Sequence, residues 1–76
     1  MKEKKIAAFL KKRRKLSRLT QPMLAKKAGV GLRFLREMEQ GKEALRLDKV
    51  NQVLKLFGHE LGPVPMNRNT MFYEEG

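Results

Sequence analysis

The chain holds one serine, Ser17, one histidine, His59, and no cysteine. Covalent catalysis needs a nucleophile beside a base that a third group orients. Ser17 falls in a basic turn with no base near it, and His59 has no partner at useful spacing. No glycine-rich phosphate loop and no paired-histidine motif occurs. The absence of cysteine also rules out disulfides, cysteine-ligated zinc and thiol chemistry. The chain is therefore not expected to be an enzyme, and neither a cofactor nor a metal is expected. What remains is recognition chemistry. Arg33 can bond bidentately to O6 and N7 of guanine, and Glu37 can accept a bond from cytosine N4. Leu32 beside them can touch a thymine methyl. Glu37 has a plainer alternative, an ion pair with Arg33 or Arg36.

Such side chains act only when a helix presents them. Helical spacing predicts a first helix from about Lys4 to Leu16, with Ile6, Phe9, Leu10 and Arg13 on one face. Thr20 has the hydroxyl of an N-cap, and Pro22 is tolerated in a first turn. A short second helix therefore spans Gln21 to Ala28 and closes at Gly29. A third runs from about Leu32 to Gln40 and closes at Gly41. A fourth runs from about Leu47 to Phe57, with Val50, Val53, Leu54 and Phe57 on one stripe, and stops at Gly58. His59 to Val64 alternates apolar residues, is too short for a helix and reads as an edge strand. Residues 1–64 are expected to form the domain and 65–76 a flexible tail.

Gln21 to Gln40 is the informative stretch. Two short helices joined by a tight glycine turn make a helix-turn-helix. Leu24 and Ala28 face the core, Ala25 is small where the helices cross, and Val30 plugs the corner. Leu35 and Met38 pack back on Leu24 and Ala28. Leu32, Arg33, Arg36 and Glu37 are left on the opposite face, and a major groove is wide enough to admit that helix.

This stretch resembles the Xre/Cro family of phage and bacterial repressors. The resemblance rests on Leu10, Arg14, Leu19-Thr20-Gln21, Leu24-Ala25, Ala28-Gly29-Val30, Leu35 and Glu39-Gln40-Gly41-Lys42. It continues through Leu47, Val50, Leu54 and Gly58. It implies an all-α domain of four to five helices, in a dimer. It also implies that the second and sixth positions of the recognition helix, Arg33 and Glu37, read bases. Gln21 is implied as a phosphate contact at the start of the second helix. Arg36, Lys42 and Arg46 are further candidates for the DNA backbone, with a solvated surface charge as the alternative for each. Arg14 and Glu39 are implied as a structural ion pair. Leu32 and Phe34 depart from the usual polar residues; Phe34 can pack on a sugar, pack on the first helix or belong to a satellite of the core. Gly31 stands where a Ser or Thr cap is usual.

Within that family the detail resembles HipB-like antitoxins of type II toxin–antitoxin operons. The phrases that carry this are Ala28-Gly29-Val30-Gly31-Leu32-Arg33-Phe34-Leu35-Arg36-Glu37 and Arg46-Leu47-Asp48-Lys49-Val50, with a strand-like end in place of a fifth helix. The resemblance implies autorepression from an inverted-repeat operator, a short C-terminal strand that pairs across the dimer, and a HipA-like kinase toxin as partner. Ordinary Xre-type repressors without a toxin share most of these residues. Val53, Phe57, Leu61 and Val64 are the residues expected at the dimer interface. Met71-Phe72-Tyr73 in the tail can either dock on a partner or have no role.

Charge and size agree with a DNA-binding dimer. The 76 residues carry 18 Lys and Arg against 8 Asp and Glu, a net charge of +10. Residues 1–20 hold nine basic residues and one acid. Such a block favours a polyanion, because neutralised phosphates release counterions. A non-specific basic binder of nucleic acid or membrane surface shares that charge. A chain this short buries only roughly 60% of its unfolded surface, so a second copy is a natural source of further burial. No signal peptide and no membrane-length apolar stretch is visible. The expected location is the cytoplasm, in association with the nucleoid.

Overall fold

The computed structural model describes residues 5–65. Four helices follow in order: α1 (Lys5–Leu16), α2 (Gln21–Ala28), α3 (Leu32–Glu39) and α4 (Leu47–Lys55). Each is short and marginal alone, so tertiary packing must hold it. Leu10 of α1, Leu24, Ala25 and Ala28 of α2, Leu35 and Met38 of α3, and Val50, Val53 and Leu54 of α4 form one buried cluster. Burying a side chain such as Leu35 contributes about 1.5–3 kcal/mol. α3 packs against both α1 and α2, and α2 also touches α4. α3 is thus clamped along its inner face.

The helix ends explain the lengths. Thr20 Oγ1 accepts from the Met23 N–H at 3.2 Å and starts α2. Gly29, at φ 75°, ends it: its N–H bonds Lys26 O and the Val30 N–H bonds Ala25 O. This paired closure recurs after α1, α3 and α4, each time around a residue with positive φ. After α1 that residue is Arg18, at φ 57°. A side chain there costs about 1 kcal/mol relative to the glycine found at the other three ends.

Several expectations change. α3 ends at Glu39 rather than Gln40, and α4 at Lys55 rather than Phe57. Lys4 lies outside the described residues, as does the tail from Met66, including Met71-Phe72-Tyr73. There are four helices and no strand among the described residues. His59 to Val64 is irregular chain rather than an edge strand, because no described segment pairs with it. Instead the Leu61 N–H donates to Asn51 Oδ1 at 2.7 Å, and Leu61 packs on the core. Val53 is also corrected: at 0% exposure it belongs to this chain's own core and has no surface left for a partner.

Candidate nucleic-acid interface

α3 has two faces of opposite character. Leu35, Met38 and Glu39 are buried. Arg33 and Arg36 are exposed, and Leu32, Phe34 and Glu37 are half-buried between the two faces. Helical geometry requires this split, since residues three and four apart share a face.

The outward face holds a chain of charge. Arg33 is 93% exposed, and its Nε lies 3.5 Å from Glu37 Oε2. Lys42, in the turn after α3, brings its ammonium to 3.4 Å from the same oxygen. Arg33 and Glu37 are therefore side by side, one turn apart, with Lys42 beyond them. Arg36 is also exposed.

The other sequence candidates are placed differently. Leu32 and Phe34 pack against the core. The Lys49 ammonium sits 5.9 Å from the Phe34 ring centre, a cation–π distance. Phe34 thus serves the satellite of the core. Arg46 is exposed, yet its guanidinium grips Asp48 through Nε at 3.2 Å and Nη2 at 2.7 Å. Those hydrogen bonds hold the Asp48 carboxyl below its ordinary pKa. Phe57 and Leu61 lean on the core, while Val64 is exposed.

The inward face is anchored by a second charge cluster. Arg14 donates to Glu39 through Nε at 2.6 Å and Nη2 at 3.1 Å, and through Nη1 to Leu19 O at 3.0 Å. The two side chains are only 15% and 4% exposed. Gln21 turns its amide inward and donates to Glu39 Oε1 at 3.1 Å. Its side chain is thus committed to Glu39, which the sequence reading as a phosphate contact did not anticipate.

Gln52 and Arg13 make contacts that the sequence pattern did not show. Gln52 Nε2 donates to Ala28 O at 3.1 Å and so ties α4 to the turn of the motif. Arg13 lies 5.5 Å from the Phe9 ring centre and 5.8 Å from that of Phe57, and donates to Phe57 O at 3.4 Å. The Phe9–Arg13 spacing of four was a usable cue, but Phe57 was not. His59 bonds Phe57 O at 2.7 Å and lies against Phe9, which gives it a structural place. Among the described residues no group of three or more His, Asp or Glu is placed to hold a metal ion. No described helix is long and apolar enough to cross a membrane.

A family model described as Helix-turn-helix matches residues 10–62. The chain is also similar to an uncharacterized HTH-type transcriptional regulator, y4mF, of Sinorhizobium fredii. The two are 45% identical over 53 residues, which is 70% of each chain.

Proposed function

The chain belongs to the helix-turn-helix family, and from that premise we propose that it is a sequence-specific DNA-binding transcriptional regulator and not an enzyme. One observation carries this: α3 is clamped by its buried face while Arg33 stands 93% exposed on the other. That arrangement lets an arginine reach a guanine edge from a rigid support. Arg33 is the base reader, with Leu32 at the margin of the face. Arg36 and Arg46 are the backbone contacts, and the N-terminus of α2 at Gln21 points positive dipole toward a phosphate. The relevant location is the cytoplasm, where the DNA is.

The active species is a dimer on an inverted repeat, because one recognition helix covers too few base pairs to specify a site. Phe57, Leu61 and Val64 contribute to its seam, joined by Leu47. Leu47 and Val64 are each 69% exposed and line one apolar groove with Leu61. A second copy is its natural cover. The protein represses its own operon and, as a HipB-like antitoxin, binds a HipA-like kinase toxin. The phrases around α3 and at the start of α4 support this finer reading. A neighbouring kinase-like gene whose product co-purifies with the chain distinguishes it from a repressor without a toxin.

The test is fluorescence anisotropy against DNA upstream of the gene and a scrambled duplex, across a salt series. Wild type is expected to prefer its own DNA by about a thousandfold or more. Arg33→Ala is expected to lose much of that preference and keep the salt slope. Equal binding to both duplexes, governed by salt alone, would make the protein a charge-driven binder and overturn the reading.

A further inference from the structure

Of the two carboxylates on α3, Glu39 is buried and Glu37 belongs to the outward face. A carboxylate turned toward a polyanion is repelled by the phosphates unless cations neutralise it. Glu37 has one cation on each side: Arg33 from the preceding turn at 3.5 Å and Lys42 from the following loop at 3.4 Å. Both converge on the same atom, Oε2. Glu37 is 26% exposed and Arg33 93%, so the carboxylate sits low and the guanidinium reaches past it. The contact engages Arg33 through Nε, which leaves the Nη1–Nη2 end of the fork as the edge presented to a base.

We propose that Glu37 is a positioning residue for Arg33 rather than a reader of its own base, and that Lys42 is its counter-ion rather than a phosphate contact. Arg33, Glu37 and Lys42 then read a single guanine as one unit. This rests on the DNA-reading function proposed above. The physical reason is preorganisation. Arginine has many rotamers, and a side chain already held loses less freedom when it binds. Exposed ion pairs add little to fold stability, so the effect of this one falls on specificity. Lys42 makes the arrangement tolerable beside DNA by cancelling the charge that Glu37 brings.

The experiment selects binding sites from a randomised duplex library with the full chain, for wild type, Arg33→Ala, Glu37→Gln and Lys42→Met. Titrations against single-base variants of the selected site follow. Arg33→Ala is expected to erase preference at one guanine. Glu37→Gln is expected to weaken preference at that same position about five- to tenfold and leave the other positions alone. Lys42→Met is expected to shift the same position without changing the salt slope. General destabilisation cannot imitate this, because it lowers binding to every sequence alike. A preference lost at a different base pair in Glu37→Gln makes Glu37 a direct reader and overturns the proposal, as does an unchanged map. A salt slope reduced by about one in Lys42→Met marks a phosphate contact and removes Lys42 from the unit, as does an unchanged map in that variant. A wild-type map with no preference at any position overturns the DNA-reading function itself, and with it this proposal.

Discussion

The two glutamates of α3 lie two residues apart, and each faces an arginine and a third polar partner. Glu39 meets Arg14 and Gln21; Glu37 meets Arg33 and Lys42. The chemistry is nearly the same and the surroundings are opposite. The inner cluster is bidentate, with its shortest contact at 2.6 Å, and Glu39 is 4% exposed. The outer contacts are 3.4–3.5 Å, with Glu37 26% and Arg33 93% exposed. Burial decides what an ion pair does. In low dielectric a carboxylate stripped of its partners has no water to replace them, so the inner pair fixes how α1 meets α3. In water the outer pair contributes little stability, so what it does falls on how Arg33 is held rather than on whether the chain folds.

The sharpest way to break this comparison is to remove each carboxylate in turn. Glu39→Ala strands the Arg14 guanidinium and is expected to cost about 3–5 kcal/mol. Small domains have only about 5 kcal/mol in hand, so the variant should be largely unfolded or melt far below wild type by circular dichroism. The double variant Arg14→Met with Glu39→Leu should recover most of the loss, because it removes both charges. Glu37→Ala should stay within about 0.5 kcal/mol of wild type. Equal melting of the two single variants would show that burial does not separate the pairs. A smaller effect follows from Gln21. Its amide donates to Glu39, so Gln21→Ala should cost about 1–2 kcal/mol of stability. At a temperature where the variant remains folded, its DNA affinity should match wild type. Unchanged melting with weakened DNA binding would return that side chain to the phosphate-contact role.

What the sequence made legible was local. Thr20, Pro22 and Gly29 mark the bounds of α2 because caps act within four residues. The leucines and alanines of α2 and α3 mark the core because helical periodicity is regular. Arg14 and Glu39 were read through a resemblance, since nothing in their spacing links them. Gln21 joining the same cluster was invisible for the same reason. The stripe on α4 was visible, but a stripe does not say what covers it, and Val53 is covered by its own chain. Alternation after Gly58 suggested a strand, yet a strand exists only where another chain segment pairs with it. Arg18 at φ 57° was not foreseeable, because glycine is the residue that usually announces such a turn. At the interface, Arg33 and Glu37 were legible as types, whereas their shared contact with Lys42 depends on the path of the loop after Gly41.

Arg46 and Asp48 extend the comparison to a pair that is short, bidentate and fully in water. The contacts are 3.2 and 2.7 Å, and both residues are exposed. The Arg46 hydrogen bonds hold the Asp48 carboxyl below its ordinary value, and the backbone at the start of α4 adds to this. A folded-state pKa below the unfolded one of about 3.9 gives stability that is present above that pH. It is lost as pH falls through the folded value. Thermal melts of wild type and Asp48→Asn should therefore differ slightly at pH 7 and begin to converge only as pH falls below about 3.9 toward the folded value, with the difference shrinking in high salt. A gap that stays constant with pH would mean that Asp48 acts through something other than its charge. The same variant bears on the interface. If Arg46 contacts a phosphate, Asp48 competes for its guanidinium, and Asp48→Asn should tighten DNA binding about equally for all sequences. If binding is unchanged, Arg46 serves α4 alone, and short bidentate geometry without burial stabilises only the helix end on which it sits.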